Sequence, residues 1–462
     1  MEPCSTGASK YDVQVSGRLG FRLRQVAHDL GSGLLFRPAA TTAALALSAL
    51  ALVSLERADV LARWTGGGWF FANDPGSAQA VLSAIAGSMM SVVSIVYSVL
   101  VVALSLASVQ FSPRILGSFL RDRVSQRTLG VFIGTFVYCL LVMRAMSGDP
   151  PWVPTWATAM GMVLGVACIG FLIYFIHHIA TNIQVANIVD RIAGETYQVI
   201  DEVYPPRADP RGPEAPTPAT APADARPVMA RGSGYLQLVD HEGLAELARA
   251  HALQIFISVE PGDFMARGAE LARVTAASAA APPSAAELPS ALAARIAGAF
   301  DLGPTRTMQQ DVGFGLRQLV DIALKAISPA VNDPSTATIC VDRLGSLLAH
   351  LAPRRPGARV LRDGEALRVL APQPTFADLT DLAFNQLRQY GRADLAVSIR
   401  ILHALGLAAR TCVAPQDRAR LSHHADLLRA GLAESFLEAD RARFELAFSE
   451  LASLLRAAEV AS

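Results

Sequence analysis

The sequence predicts a membrane α-helical protein with four transmembrane helices, followed by a cytoplasmic α+β domain with a small β-barrel-like unit and a helical bundle. Two observations lead to this fold class. Four stretches near the amino terminus lack charged residues, at 38–55, 76–113, 128–143 and 150–189. A helix needs about 20 apolar residues to cross the hydrocarbon core of a bilayer. From about residue 230 onward, charged and apolar residues alternate in the short patterns of a soluble domain.

The composition excludes several classes of protein. The chain has 462 residues, and 40 basic side chains balance 40 acidic ones. A formal charge of zero argues against a nucleic-acid binder, which usually carries a basic excess. The five cysteines are odd in number and widely spaced, which argues against a disulfide scaffold and against a zinc finger. We therefore expect no nucleic-acid partner, no metal and no cofactor.

Basic residues in the short loops predict the orientation. The amino-terminal tail and the loop between the second and third helices carry most of the positive charge, whereas all four tryptophans lie in or beside the other two loops. Basic loops stay in the cytoplasm, and tryptophan is enriched at membrane interfaces. We expect a multi-pass protein with both termini in the cytoplasm and the lipid bilayer as its partner.

The second membrane segment carries a stripe of serines. As one helix, residues 80–111 would be about 48 Å long, which exceeds the hydrocarbon core of about 30 Å. Spacings of three, four and seven place six serines on one helical face: Ser88, Ser91, Ser94, Ser98, Ser105 and Ser108. Two interpretations stay open. The stripe lines a pore or solute path, or it forms a close helix–helix contact, since small residues let backbones approach in lipid.

The two interpretations merge if the contact lies between subunits around an axis, so we expect a homo-oligomer. No acidic or basic side chain lies inside a membrane segment, which argues against an ion-coupled transporter.

His177 and His178 end the fourth segment. Adjacent residues on a helix point about 100° apart and do not readily chelate one metal. We interpret them as polar residues at the inner interface, with pH sensing as the alternative.

The chain divides into six predicted regions. An amphipathic helix in the tail lies on the inner leaflet or packs on the protein's own cytoplasmic domain. A Pro-rich stretch cannot bury enough apolar surface to fold and is predicted to be disordered. The regions are the tail 1–33, the transmembrane domain 34–180, a connector helix 181–204, the linker 205–231, a small β unit 232–276 and a helical domain with a β-hairpin 287–458.

The small β unit shows alternating patterns at 234–239, 253–259 and 271–274, with a helix at 241–251. Residues 259–274 resemble the half-barrel repeat of biotinyl/lipoyl-type domains. Those carrier domains attach their cofactor to a lysine, and this chain has only Lys10 and Lys325. A carried prosthetic group is therefore not expected, and a structural or ligand-enclosing barrel remains.

The helical domain contains a dense group of polar residues. Arg317, Asp321 and Lys325 recur at every fourth position, and Asn332 and Asp333 follow at a turn. These five residues form a candidate ligand or anion site. The alternative is a ladder of charges along one helix and a helix cap, with Asp333 as the cap and proline at the first helical position. The turn at residues 390–394 is a second candidate, with a helix stop as its alternative.

Five segments resemble the bacterial predicted-membrane-protein family called domain of unknown function 2254. They are AIAGSMM at 84–90, VVALSLASVQFSPR at 101–114, LGVFIGTFVY at 129–138, YFIHHIA at 174–180 and SPAVNDP at 328–334. The resemblance extends from about residue 34 to 455, and the linker near residue 205 looks like an insertion. It implies a protein of the bacterial inner membrane. It brings no reaction, substrate or catalytic residue.

Two hypotheses for function remain. The first is an oligomeric channel whose second helix lines the axis and whose cytoplasmic domain senses or gates. The second is a membrane-anchored scaffold or ligand sensor without transport activity. No nucleophile elbow, catalytic triad or two-histidine metal motif is present in the sequence, so an enzyme is the least favoured class. The small ion or ligand, if one binds, is not identified by the sequence.

Overall fold

The computed structural model of the protein describes most of the chain in two compact units. The described residues are 36–58, 60, 74–110, 122–146, 152–182, 184–206, 221–277, 288–354, 356–364, 366–433 and 436–460, without the side chains of 106–110, 123, 182 and 457–460. The membrane unit is Leu19–Gln184, and the α+β unit contains Val185–Ser462. The amphipathic helix predicted in the 1–33 tail lies outside the described residues.

The membrane unit contains the four predicted transmembrane helices. They are α1 (Phe36–Arg57), α2 (Pro75–Gln110), α3 (Arg123–Met146) and α4 (Thr155–Asn182). Each is long and apolar enough to cross a bilayer. The prediction of four such helices is confirmed. At 36 residues, α2 is the longest, about 54 Å at 1.5 Å per residue.

Helix α3 is the centre of the membrane unit. It contacts α1, α2 and α4, and 44% of its apolar window is buried, against 11–17% for the other three helices. The largest fully buried side chains here are Phe132 and Tyr138 of α3 and Phe175 of α4. The hydroxyl group of Tyr138 donates a hydrogen bond to the carbonyl oxygen of Ala157 at 2.9 Å. The packing of this unit is therefore organised around one helix.

The α+β unit begins with a helix and then combines strands and helices. In chain order its elements are α5 (Val185–Val203), β1 (Arg226–Met229), β2 (Gly234–Val239), α6 (His241–Ala250), β3 (Leu253–Ile257), β4 (Phe264–Met265), β5 (Glu270–Ala276), α7 (Ser290–Ala297), β6 (Phe300–Gly303), α8 (Val312–Ala326), α9 (Pro334–Leu351), β7 (Arg359–Asp363), β8 (Ala366–Ala371), α10 (Phe376–Gly391), α11 (Leu395–Thr411), α12 (Pro415–Ala430) and α13 (Glu438–Val460).

The strands form two open sheets. One has the order β1-β5-β3-β8-β7, and the other has the order β4-β2-β6. Strand β3 pairs in parallel with β8, with Ile255 opposite Val369, and the other pairs are antiparallel. Within the described residues neither sheet closes on itself, so the predicted barrel-like unit is not confirmed.

Two elements extend the predicted β unit. The β7–β8 hairpin joins the same sheet as β3, although it was expected within the helical domain. Strand β1 pairs with β5, so regular structure begins inside the region predicted as the linker 205–231. The sequence concealed both pairings because they join segments far apart along the chain. Helix α6 packs on β3 and β8 and closes an apolar core around Leu244, Ile255 and Val369.

The helices form a bundle around α8 and α9. Helix α5 packs on both, so the segment predicted as a connector is the first helix of this bundle. Helices α9 and α11 approach closely at Gly345, where an added Cβ would lie 2.7 Å from the Cβ of Ala404. Asp333 caps α9, with Pro334 at its first position, as expected. This bundle positions both polar turns identified in the sequence.

Candidate functional site

The serine stripe of α2 faces away from the other described helices of the membrane unit. Ser88, Ser91, Ser94, Ser98 and Ser105 are all exposed, and the side chain of Ser108 lies outside the described residues. The buried residues of α2 are Ala78, Leu82, Ala86, Met89, Val96 and Ala103. At 100° per residue these two sets lie on opposite sides of the helix. The stripe does not form the contact between α2 and α3 or α4.

The hydroxyls of Ser88, Ser91, Ser94 and Ser98 donate to carbonyl oxygens of their own helix. Ser94 donates to the carbonyl oxygen of Met90 at 3.0 Å, and Ser98 donates to the carbonyl oxygen of Ser94 at 2.8 Å. Ser88 donates to Ala84 in the same way at 2.9 Å. Hydrogen bonds of this kind allow serine to face lipid without an unpaired donor. The oxygen lone pairs remain available to water or to another helix.

Glycines, rather than serines, make the close contacts within the membrane unit. A Cβ added at Gly130 would lie 2.9 Å from the Cα of Pro38 on α1, and one added at Gly134 would lie 2.6 Å from Cδ1 of Leu45. On α4, a Cβ at Gly161 would lie 2.7 Å from Cδ2 of Leu82 on α2. The spacing Gly-x-x-x-Gly at 130–134 is a recognised signal for close packing of membrane helices. This local spacing is a sequence signal for the contact between α1 and α3.

His178 forms a polar contact at one end of the membrane unit. Its Nε2 lies 3.0 Å from Oδ2 of Asp122, and Tyr174 stacks on its ring at 6.0 Å between centroids. Asp122 also accepts a hydrogen bond from the backbone N–H of Ser125 at 3.0 Å, at the start of α3. Burial opposes ionisation of Asp122, but hydrogen bonds from Ser125 and His178 outweigh it and lower the pKa of this carboxyl. The contact ties the end of α4 to the start of α3.

The candidate anion site consists of two separate polar contacts. In the first, Arg317 and Asp321 form an ion pair on α8, with 2.9 Å between Nε and Oδ1. This pair balances the charge of the arginine one turn away on the same helix. Lys325 continues the series one turn later and is exposed. The first three residues of the predicted site therefore form a charge ladder along one helix face.

The second contact is the turn before α9. Asp333 accepts hydrogen bonds from the backbone N–H and the hydroxyl of Thr336, at 3.1 and 2.6 Å. These bonds lower the pKa of the Asp333 carboxyl. Asn332 adopts a left-handed backbone conformation with φ of 50°. The Asp333 carboxylate is thus used by its own helix, and anion binding by the five residues stays a prediction.

A buried carboxylate outside the candidate sites predicted from the sequence lies at the start of α8. Asp311 is 5% exposed, caps α8 through the N–H of Phe314 at 2.9 Å, and pairs with Arg306 at 2.6 Å. Burial raises the pKa of Asp311 despite the neighbouring arginine. Gly262, with φ of 98°, lies against this pair, because an added Cβ would be 2.3 Å from Oδ2 of Asp311. The Pro-Gly-Asp turn of the β unit is thus fixed on the start of α8.

Half-buried Glu260 precedes that turn, and its pKa is raised by burial and by the neighbouring carboxylates of Asp263, Asp378 and Asp311. An aspartate and a glutamate so placed are functional candidates in many proteins. In the part of the chain that the structure describes, no three histidine, cysteine, aspartate or glutamate side chains are arranged to hold a metal ion. The carboxylates therefore give no basis for a metal centre.

A groove of about 420 Å³ lies where α10 and α12 begin. Its polar lining comes from Thr375 on one side and from Asp417, Arg420 and His423 of α12 on the other. Arg420 pairs with Asp381 of α10. This volume lies in the range of small-molecule sites. No sequence motif indicated the groove, because it is formed by residues about 40 positions apart.

Beneath the groove, His424 is 1% exposed and bonds to the same aspartate, with 2.8 Å between Nε2 and Oδ1 of Asp381. Its Nδ1 is buried and has no hydrogen-bond partner in the described structure. Burial lowers the pKa of His424, although Asp381 opposes this effect. His424 therefore joins α12 to α10 through Asp381.

Comparisons with known proteins agree with the membrane architecture. Over 378 residues the chain is 36% identical to the uncharacterized protein Rv1290c of Mycobacterium tuberculosis strain H37Rv and to the uncharacterized protein Mb1321c of Mycobacterium bovis. The match covers 80% of this chain and 71% of each relative. No solved structure matches the chain. The model of the family described as predicted membrane protein DUF2254 matches residues 31–406, and the chain belongs to this family.

Proposed function

We propose that the protein is an oligomeric channel of the bacterial inner membrane, in which α2 of several copies lines a central path and the cytoplasmic α+β unit senses or gates. The observation that carries this proposal is the exposed serine face of α2, opposite its packed face. A face of small residues that has no partner among the described helices of its own subunit is available for close contact with another copy of α2. Helix α2 contains no charged residue, and Tyr97 is its one titratable residue. Transport along the path would therefore be passive, without coupling to protons or ions.

The repeat of small residues supports contact between copies. Five small residues recur at intervals of seven along α2: Ser77, Ala84, Ser91, Ser98 and Ser105. Gly87, Ser94 and Ser108 lie three positions after members of this series. A seven-residue repeat keeps one seam facing a partner helix and favours a left-handed supercoil. Several copies of α2 around an axis would then direct serine hydroxyls toward the centre.

The orientation follows from the distribution of basic residues. Arginine and lysine are concentrated before α1 and between α2 and α3. The positive-inside rule then places both termini and the α+β unit in the cytoplasm. In this arrangement His178 and Asp122 lie at the inner interface.

Flux measurements in liposomes test the channel. The full chain is reconstituted with Cys4→Ser, because the cysteines at 139, 168, 340 and 412 are buried. We expect ion or small-solute flux that a thiol reagent blocks in Ser98→Cys. The matched control is Val166→Cys, which is 70% exposed on α4 and should face lipid. Absence of flux at every membrane potential and tension would overturn the proposal, as would equal block of both variants.

A ligand sensor is the second candidate function, and the groove between α10 and α12 favours it. In this case the membrane unit is an anchor and the α+β unit binds a small molecule. The sensor is supported over the channel if the protein is a monomer in nanodiscs and shows no flux. In addition, a ligand should raise the thermal stability of the protein but not that of His423→Leu. An oligomer with flux would support the channel.

A further inference from the structure

We propose that one end of the helical bundle in the α+β unit docks on an anionic lipid surface. This basic end consists of the loop 327–333, the loop 390–394 with its Arg392, and the side chains of Lys325 and Arg388. The inference does not depend on the proposed channel, because it concerns a different unit of the chain. It also gives Lys325, one of the five residues of the predicted anion site, a ligand class, the phosphate group of a lipid.

The structure brings the two loops together. Helices α8 and α10 pack side by side, and both end here. A Cβ added at Gly391 would lie 3.7 Å from Cδ1 of Ile327, in ordinary contact. The loops are closed by backbone hydrogen bonds, from Asn332 to Ser328 at 2.9 Å and from Asp394 to Gly391 at 2.9 Å. The two loops thus form one tip with defined backbone geometry.

The tip exposes large apolar side chains. Tyr390 is 71% exposed and Val331 is 45% exposed. By contrast Ile322, which lies in α8 about one turn before that helix ends, is 1% exposed and belongs to the core. Pro329 and Ala330 are exposed as well. Tyrosine is enriched at the interface between lipid and water, because its ring is apolar and its hydroxyl remains hydrated. The exposed residues have the composition expected for shallow insertion into headgroups.

The charges at the tip are favourable for anionic lipid. Lys325 and Arg392 are exposed, and within the described residues neither side chain pairs with an acid. Arg388 lies one turn before the end of α10. The acids at the tip, Asp333 and Asp394, cap α9 and α11. Three cations, Lys325, Arg388 and Arg392, outnumber these two acids, so the tip carries a formal net charge of +1.

A lipid partner fits these features better than a nucleic acid or a soluble protein. The α+β unit begins at Val185, directly after a membrane helix, so a bilayer is always at a high local concentration. Two or three cations and one tyrosine are too few for a stable protein interface, but they add to an existing anchor. The expected partner is therefore an anionic leaflet.

Lipid-depth quenching in the full chain tests the proposal. The protein with Cys4→Ser is reconstituted into nanodiscs of neutral phosphatidylcholine or with about one-third phosphatidylglycerol. A fluorophore is attached at Tyr390→Cys or Val331→Cys. We expect quenching by brominated lipid and protection from aqueous iodide in the anionic discs only. Each of Lys325→Gln and Arg392→Gln, combined with the labelled Val331→Cys, should lower the docked-to-free ratio about fivefold.

Two matched variants serve as controls. A label at Leu446→Cys, which is 63% exposed on α13, should remain accessible to iodide in every disc. Arg249→Gln removes an exposed cation on α6 and should leave docking unchanged. Equal iodide quenching at residues 390 and 446 in anionic discs would overturn the proposal. Protection from iodide without quenching by brominated lipid would also overturn it, because a protein would then cover the tip.

Discussion

The helices of the membrane unit and of the α+β unit associate for different physical reasons, although close glycine contacts occur in both, at Gly134 and at Gly345. In the membrane unit, Gly130 and Gly134 bring the backbones of α1 and α3 together. In the α+β unit, ion pairs such as Asp190–Arg343 and Arg429–Glu445 connect helices whose cores are already apolar. Lipid is as apolar as leucine, so burial of leucine does not drive helix association in a membrane. In water it does, and exposed ion pairs add little.

We expect the glycine contacts to matter most in the membrane unit, where burial of leucine does not compensate for a loss of close packing. Gly134→Val places methyl groups where a Cβ alone would already lie 2.6 Å from Leu45 and 3.2 Å from the Cα of Thr42. Helices α1 and α3 must then separate. We expect a loss of about 3 kcal/mol in the free energy of unfolding, the upper part of the range for overpacking. Thermal unfolding in nanodiscs measures it.

Gly170→Val is the control for this prediction, because nothing lies within 4 Å of a Cβ added at Gly170 on α4. Equal losses in both variants would show that valine disturbs α3 and α4 for reasons other than contact between helices. The comparison between the two units would then fail at its first step.

The α+β unit depends on its buried polar contacts more than on its exposed ones. Asp311→Ala removes the cap of α8 and leaves Arg306 without its partner. We expect a loss of about 2 kcal/mol, with about 1 kcal/mol from the cap and the rest from the buried pair. Asp342→Ala breaks the exposed pair with Arg400 and should cost less than about 0.5 kcal/mol. Hydrogen exchange of α8 and α9 measures both losses, and equal losses would contradict the expectation.

We also expect a pH response in the α+β unit. Burial lowers the pKa of His241, at the start of α6, to about 4. In the unfolded chain the pKa of a histidine is about 6.5, so below this pH the unfolded state binds a proton that the folded state does not. The free energy of unfolding is therefore highest above pH 6.5 and falls as the pH falls toward 4. Between pH 7 and about 5.5 we expect the α+β unit to lose about 1 kcal/mol.

The measurement is hydrogen exchange of α6 and β2 at the two pH values. In His241→Gln the loss should largely disappear, whereas His251→Gln, at an exposed position, should retain it. The same loss in His241→Gln would assign the response to another group, with buried His424 as the first to examine.

The sequence predicted the local features of both units and missed the long-range ones. Charge-free stretches and helix caps such as Asp333–Pro334 depend on neighbouring residues, so the four membrane helices and the start of α9 were predictable. The pairing of β3 with β8 joins residues more than 100 positions apart and has no local signal. Likewise, the Arg306–Asp311 pair became notable only when the structure placed Gly262 against it. The serine face was predicted, but its exposure required the packing of α2.

The smallest expected effect concerns that face. Ser98 donates its hydrogen bond to Ser94 of its own helix and contacts no other helix of the described membrane unit. Ser98→Ala should therefore change the free energy of unfolding of a subunit by less than about 0.5 kcal/mol, as surface substitutions do. Ser98→Leu should be equally mild for the subunit but should separate copies of α2, because leucine prevents close approach along the seam. Thermal unfolding together with the mass of the detergent-free particle distinguishes the two effects. If Ser98→Leu destabilises the subunit as much as Gly134→Val does, the serine face of α2 packs within the subunit. The assignment of the glycines to folding of the subunit and of the serines to assembly of copies would then be wrong.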